Sequence, residues 1–135
     1  MNIALIAHDK KKELMADFCL AYKRELQRHE LLATGATGAL VAETAGLNIR
    51  LLSSGLAGEE QIAARIAYNE IDLVIFLRDP DTAAGDLGEP QMNSLLKLCD
   101  INSIPFATNI ATAELLVKAL ERGDLEWREL VRKKT

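Results

Sequence analysis

Short apolar runs alternate with longer amphipathic segments along this chain, and no other feature restricts the fold as strongly. Five short runs are largely apolar, as strands covered on both faces should be, and they lie at residues 3–7, 31–33, 48–52, 72–77 and 105–108. Apolar residues at helical spacing follow each run, at residues 14–26, around 40–42, and at 61–68, 92–98 and 113–120. Five such units in series predict an α/β fold, a doubly wound (Rossmann-like), mainly parallel five-stranded sheet with helices on both faces.

A length of 135 residues fits a single domain. Hydrophobic residues make up 49% of the chain but aromatic residues only 4%, so the core must be mainly aliphatic. We expect the domain to span residues 1–135, with its core at about 2–122 and a C-terminal helix or tail at 123–135. The basic run Arg132-Lys133-Lys134 is expected to be a solvated end of that tail.

Charge, apolar stretches and cysteine spacing each argue against certain partners and binding sites. There are 16 Lys and Arg against 20 Asp and Glu, and this acidic balance argues against nucleic acid as a partner. No apolar stretch reaches 18 residues and no signal peptide is recognisable, so we expect no membrane partner and a cytoplasmic location. Cys19 and Cys99 lack metal or redox spacing and are interpreted as free core thiols. No metal and no cofactor are expected.

Ligands of parallel α/β sheets bind beyond the carboxyl ends of the strands. The segments that follow the five predicted strands are rich in glycine, hydroxyl and charged residues, and they lie at residues 8–12, 34–38, 53–60, 78–80 and 108–112. Residues 80–90 form one long predicted loop, and long loops in compact domains are often functional. The sequence therefore places a ligand site at this edge of the sheet.

Two of these segments have the chemistry of an anion cradle. In Thr-Gly-Ala-Thr-Gly, residues 34–38, backbone N–H groups, hydroxyls and a helix N-terminus would converge, and the candidate ligands are Thr34, Gly35, Thr37 and Gly38. Ser54 and Gly55 repeat that chemistry one strand away, and Lys12 could supply a full positive charge. The alternative is ordinary helix capping by Thr or Ser with a glycine turn, together with a solvated lysine.

Acid–base candidates lie in the same segments. His8 could polarise a carbonyl or carry a proton, or it could be a turn histidine bonded to backbone. Asp79 is either a catalytic or ligand-orienting carboxylate or a turn-forming one. Glu59 and Glu60 could both be first-turn acids that complement a helix dipole, or one of them could be a general base. Asp9 is interpreted as the N-cap of the first helix, and His29 is expected to lie far from the strand ends.

Taken in order, these segments resemble the methylglyoxal synthase family over residues 2 to about 117. The resemblance is carried by Ala7-His8-Asp9 with Lys12, residues 33–38, Ser54-Gly55, residues 72–76 with Asp79-Pro80, Ile104-Pro105, and residues 107–109 and 111–113. It implies a metal-free lyase that converts dihydroxyacetone phosphate into methylglyoxal and inorganic phosphate through an enediolate. It also implies a cytoplasmic homohexamer that phosphate inhibits cooperatively.

The same resemblance assigns roles to individual residues. His8 matches an active-site histidine and Asp79 an active-site acid. The positions that match phosphate and substrate contacts are Lys12, Thr34, Thr37, Gly38, Ser54 and Gly55.

Three segments depart from the family pattern. Where the family has Gly-Gly-Asp-Gln with a catalytic Asp, residues 58–61 read Gly-Glu-Glu-Gln, and the stretch before them is one residue shorter. A gap in the loop aligns Glu59 with that Asp and is preferred, whereas an ungapped alignment selects Glu60. The family's Pro-His-Asp-Pro-Asp segment is replaced by residues 85–91, which lack the histidine and have Gln91 for the last Asp. Ala36 replaces a family threonine.

Three functions are compatible with this pattern. The first is an active methylglyoxal synthase with Glu59 as base and His8 as electrophile. The second is a non-catalytic module that senses phosphate or a phosphorylated metabolite. The third is a related lyase or isomerase that acts on another small phosphorylated substrate.

Overall fold

The computed structural model describes residues 1–81 and 88–133, and this part of the chain forms a five-stranded, fully parallel sheet in the order β3-β2-β1-β4-β5. The strands are β1 (Asn2–Ala7), β2 (Glu30–Thr34), β3 (Ile49–Leu52), β4 (Leu73–Leu77) and β5 (Phe106–Ala107). The helices are α1 (Lys12–Ala21), α2 (Lys23–Leu26), α3 (Gly35–Ala45), α4 (Gly55–Ala67), α5 (Gly88–Asn102), α6 (Ile110–Arg122) and α7 (Trp127–Lys133). The predicted α/β fold class is confirmed.

Successive strand residues face opposite sides of the sheet, and both sides are covered. On one side, Ile3 and Leu5 of β1 pack in a core that includes residues of α1, α3 and α6. On the other, Ala4 and Ile6 pack in a core that includes residues of α4 and α5. This double coverage explains why β1 and β4 read as apolar runs rather than as alternating ones, whereas the edge strand β3 is partly exposed.

The two cysteines are free thiols, one in each core, as predicted. Burial raises the pKa of Cys19 and of Cys99 to about 12. Neither thiol is therefore ionised near neutral pH, which suits a packing role.

Two details of the predicted elements are wrong. The helix expected over residues 14–26 is interrupted at Tyr22, where φ is −106° and ψ is 23°. The last strand has two residues rather than four. Pro105 has no N–H to donate to a ladder, although its carbonyl still accepts a hydrogen bond from the N–H of Val74 at 3.0 Å.

The C-terminal segment is not a solvated tail throughout. Arg128 is 2% exposed, and its Nε donates to Oδ1 of the fully buried Asp72 at 3.1 Å. The same guanidinium donates to the carbonyls of Asn102 and Ser103. Arg132 also bonds to Asp72, so the expectation that it is solvated is wrong. A buried carboxylate needs such partners, and here it ties α7 to the amino end of β4.

The strand order reverses between β1 and β4, because the chain adds β2 and β3 on one side of β1 and then β4 and β5 on the other. Such a switch point opens a crevice at the carboxyl ends of the strands. In the described part of the chain, every helix is too short or too polar to cross a lipid bilayer.

Candidate active site

A cleft of about 380 Å³ lies at this switch point. The predicted site residues that line it are His8, Lys12, Thr34, Thr37, Gly55, Glu59 and Asp79. Those that do not line it are Gly35, Gly38, Ser54 and Glu60. The sequence did not single out the other lining residues as ligands, and they are Ile6, Ala7, Asp9, Lys10, Ala36 and Leu56.

His8 directly follows β1 and is held from several sides. Its backbone N–H donates to the carbonyl of Leu77 at 3.1 Å, which extends the pairing of β1 with β4. Its ring atom Nδ1 accepts a hydrogen bond from the backbone N–H of Asp79 at 2.8 Å. The ring also packs edge-on against Phe76, with centroids 5.2 Å apart at an interplanar angle of 82°. The imidazole therefore has one defined position at the cleft wall.

Asp79 is both a cleft residue and a turn-forming residue, which are the two alternatives that the sequence left open. It lines the cleft and is 9% exposed. Its Oδ1 also accepts the backbone N–H of Asp81 at 3.0 Å, which is the hydrogen bond of an Asx turn. The turn fixes the carboxylate at the end of β4, where a ligand in the cleft can reach it.

The structure separates the two adjacent glutamates of α4. Glu59 lies at the cleft and is partly buried, and burial raises the pKa of its carboxyl. Glu60 is exposed and lies outside the cleft. A raised pKa makes Glu59 a stronger base than a fully solvated glutamate, which is what proton abstraction from carbon requires.

The hydroxyls of the anion cradle are not used as helix caps. Thr34 and Ser54 occupy the N-cap positions of α3 and α4, but neither side chain makes a capping hydrogen bond. Thr37 is 1% exposed, and its Oγ1 has no hydrogen-bond partner within residues 1–81 and 88–133. A buried hydroxyl without a partner is unfavourable, so its position in the cleft wall favours a ligand that completes it.

The glycines of the site have different roles. Gly55 lines the cleft and has a φ of +65°, a conformation that other residues adopt at a cost. A Cβ on Gly35 would lie 2.4 Å from Ser54 Oγ, and one on Gly38 would lie 2.5 Å from Leu51 Cδ2. Gly35 and Gly38 therefore allow close packing behind the cleft.

Lys12 brings a cation to the cleft, with its side chain 27% exposed. Its Nζ lies 2.7 Å from Oδ1 of Asp9, whose carboxylate is 93% exposed. The hydrogen bond and the charge of Lys12 lower the pKa of Asp9. The prediction that Asp9 caps the first helix is wrong, because His8 holds the N-cap position and Asp9 lies in the first turn of a 3-10 segment.

The remaining candidates lie elsewhere. His29 is remote from the cleft, as predicted, and its Nδ1 lies 3.3 Å from the N-terminal amine. In the described ranges, no group of His, Cys, Asp and Glu side chains could hold a metal ion. The predicted loop 80–90 falls partly outside the described residues, at 82–87, and the side chain of Gln91 also falls outside them. The prediction of a loop is wrong for residues 88–90, which begin α5.

Comparisons with known proteins show the family to which this chain belongs. The MGS-like domain family matches residues 15–108. The methylglyoxal synthase of Caldicellulosiruptor saccharolyticus is 62% identical over 135 residues, which are 99% of this chain and 94% of the relative. The methylglyoxal synthase of Thermoanaerobacter pseudethanolicus is 57% identical over 131 residues, covering 96% and 98% of the two chains.

A solved structure shows the same fold. The crystal structure of methylglyoxal synthase from Elizabethkingia anophelis superimposes with a TM-score of 0.77 at 35% identity, covering 86% of this chain and 76% of that one. The names of these relatives support the first of the three functions considered above rather than the sensing module or the lyase with another substrate.

Proposed function

Because this chain belongs to the MGS-like domain family and its relatives over nearly the full length are methylglyoxal synthases, it is an enzyme of that type, and we propose how its residues carry out the reaction. The substrate is a small phosphorylated metabolite, which we assign as dihydroxyacetone phosphate. The observation that supports this assignment most directly is the position of Glu59, a partly buried carboxylate with a raised pKa, in the same cleft as His8 and Thr37.

The phosphate group occupies the side of the cleft at the start of α3 and α4. Thr34 and Thr37 offer hydroxyls, Lys12 offers a full positive charge, and the first turns of the two helices offer backbone N–H groups that have no partner within the helix. Gly55 permits the close approach of the backbone to the anion. Holding the phosphate in this way fixes the carbonyl carbon of the substrate relative to the acid–base groups.

Glu59 removes a proton from the hydroxyl-bearing carbon beside the carbonyl. The electron pair of that C–H bond forms the C=C bond of an enediolate, and negative charge develops on the carbonyl oxygen. His8 stabilises this oxygen by a hydrogen bond, and Asp79 accepts one from the substrate hydroxyl. The substrate hydroxyl then passes its proton to Asp79 and becomes the aldehyde carbonyl, while the electron pair of the C=C bond shifts toward the carbon that carries the phosphate and the C–O bond to phosphate breaks. The resulting enolate takes up a proton from solvent on its terminal carbon to give methylglyoxal.

Three further properties follow from the family. We propose that the protein is cytoplasmic, that it assembles as a homohexamer, and that inorganic phosphate is both a product and a cooperative inhibitor. Its mildly acidic composition supports the first of these. Light scattering tests the second against the mass of the 14.8 kDa chain. A sigmoidal dependence of rate on substrate in the presence of phosphate tests the third.

The activity itself is tested with purified protein and dihydroxyacetone phosphate, by following methylglyoxal and released phosphate together. Glu59→Gln and Glu60→Gln form a matched pair, since they make the same change at adjacent residues of α4. We expect equal amounts of the two products from the wild type. We also expect a loss of roughly a hundredfold to ten-thousandfold in kcat for E59Q and a near wild-type rate for E60Q. Wild-type protein that forms no dicarbonyl product, or an E59Q variant as active as E60Q, contradicts the proposal.

A further inference from the structure

One hydrogen bond in the cleft bears on the tautomer of the His8 imidazole. Nδ1 of His8 lies 2.8 Å from the backbone nitrogen of Asp79 and accepts its N–H. A backbone amide only donates, so Nδ1 must present a lone pair. A neutral imidazole with its lone pair on Nδ1 carries its proton on Nε2.

The donor of this hydrogen bond is a backbone amide just beyond the end of β4 rather than a side chain. Ala7 pairs with Leu77 in the register of β1 and β4, so the residues just beyond each strand are also brought together. The backbone N–H of His8 bonds to the carbonyl of Leu77, and the Asp79 amide follows two residues later. The ring is held edge-on against the fully buried Phe76. A flip of the ring would keep this packing but would place a carbon in the position of Nδ1, so the hydrogen bond from Asp79 selects the orientation of the ring.

We propose that the backbone amide of Asp79 is a positioning group that holds His8 as the neutral Nε2–H tautomer. The imidazole, and not the imidazolium, then donates the hydrogen bond to the carbonyl oxygen of the substrate. Placing a second proton on Nδ1 would set two N–H groups against each other at 2.8 Å. The role of His8 as electrophile rests on the proposed function, whereas its tautomer rests on the geometry alone.

A neutral imidazole is a suitable hydrogen-bond donor for the enediolate oxygen of this reaction. The enediolate oxygen needs a partner that stabilises negative charge while the C–O bond to phosphate breaks. An imidazolium is a stronger acid and would transfer its proton to that oxygen instead of holding the oxygen by a hydrogen bond. A neutral imidazole donates a hydrogen bond and keeps its proton.

The test uses the protein labelled with ¹⁵N in its histidine rings and long-range ¹H–¹⁵N correlation spectra at neutral pH, without substrate. The chain has two histidines, so the His29→Gln variant assigns the His8 signals. We expect the pattern of an Nε2–H tautomer for His8, with a non-protonated Nδ1. An Nδ1–H pattern or an imidazolium pattern in the folded protein overturns the proposal.

Asp79→Asn separates the amide from the carboxylate of the same residue. The substitution retains the backbone N–H, and its side-chain oxygen can still accept the N–H of Asp81, so the turn is retained. We expect D79N to lose activity but to keep the Nε2–H pattern of His8. Loss of that pattern in folded D79N overturns the proposal, because the carboxylate would then set the tautomer. The spectra require no turnover, so failure of the proposed function is observed separately in the product assay.

Discussion

Glu59 and Glu60 are consecutive residues of α4, yet Glu59 lies partly buried in the cleft and Glu60 is exposed outside it. The difference arises because neighbouring positions of a helix are separated by about 100° of rotation. Burial raises the pKa of Glu59 above the ordinary glutamate value of 4.5. The different environments of the two carboxylates therefore support the proposal that Glu59 is the base.

The pH dependence of the reaction should report this shift. A base must be ionised to accept a proton, so kcat/KM is expected to fall as the pH decreases through the raised pKa of Glu59. The acid limb of the profile should therefore lie above 4.5 in the wild type and in E60Q alike. The assignment of Glu59 would be contradicted if the acid limb lay at the ordinary glutamate pKa of 4.5 and moved in the E60Q variant.

The same shift predicts an effect on stability. A carboxyl whose pKa is raised by folding destabilises the folded state when it is ionised, and the effect disappears below the pKa of the unfolded chain. We therefore expect E59Q to be more stable than the wild type at pH 7 and equally stable well below pH 4.5. The denaturant midpoints of the wild type and of E59Q at the two pH values measure this difference in stability. A variant that gains stability equally at both values would point to a cause other than ionisation.

The buried hydroxyl of Thr37 should contribute more to binding than to folding. It has no partner in the described part of the protein, so Thr37→Val is expected to leave the free energy of unfolding unchanged or to raise it. A hydrogen bond to a charged group contributes about 1.5–3 kcal/mol, so phosphate-ester affinity should fall roughly tenfold to a hundredfold. Calorimetry with inorganic phosphate measures the affinity.

The matched control for this change is Thr44→Val. Thr44 lies in the same helix, α3, but it is exposed and does not line the cleft. Its substitution should not change phosphate affinity. Equal losses in the two variants would show that α3 responds as a whole and that the hydroxyl of Thr37 has no direct contact.

The alternation of apolar runs and amphipathic helices was sufficient to predict the sheet and its two covered faces. Parallel strands end at one edge, so the segments that follow β1, β2 and β4 could be placed together before any geometry was known. The break at Tyr22 was not predictable, since residues on both sides of it keep helical spacing. The spacing of apolar residues indicates which side chains are buried, and residues on both sides of Tyr22 are buried although the helix is interrupted there.

The packing behind the site was less predictable than its position. Gly35 and Gly38 read as anion ligands because glycine occurs both in anion-binding turns and at close contacts, and only the neighbouring Ser54 and Leu51 distinguish the two. The bond between Arg128 and Asp72 joins residues 56 positions apart, and no spacing rule connects them. Contacts of this kind form only when distant elements pack together, so no local pattern in the sequence indicates them.

Lys12 should act mainly on phosphate binding. Its ammonium lies at the cleft and is paired with Asp9 in the described structure. Lys12→Met is expected to raise KM and the Kd for phosphate roughly tenfold or more, because a charge-assisted hydrogen bond is lost. The pKa of Asp9 should rise toward its ordinary value, because Lys12 is the main cause of its depression. Side-chain NMR titration of Asp9 measures that change.

Lys118→Met provides the corresponding control. Lys118 also pairs with a nearby carboxylate, that of Glu114 at 3.0 Å, but it lies on α6 away from the cleft. Both variants lose one positive charge, so a general electrostatic effect on phosphate binding would appear in both. We expect a change of KM in K12M and none in K118M.

The buried bond between Arg128 and Asp72 should determine stability without affecting chemistry. Removing the guanidinium in Arg128→Met leaves the fully buried carboxylate with Arg132 as its remaining charged partner. Breaking a buried ion pair from one side costs about 3–5 kcal/mol, a large part of the stability of an ordinary domain. Arg122→Met removes the exposed pair with Asp124 and should cost less than about 1 kcal/mol.

Because Asp72 immediately precedes β4, the bond lies at the amino end of the sheet, and the cleft lies at the carboxyl end. R128M that remains folded should therefore keep the wild-type KM while its denaturant midpoint falls. The double variant D72N/R128M should recover part of the lost stability, since it removes the uncompensated charge. A denaturant midpoint for R128M equal to that of R122M would contradict the stabilising role of the buried pair. A KM that changes while R128M is fully folded would show that α7 also affects the cleft.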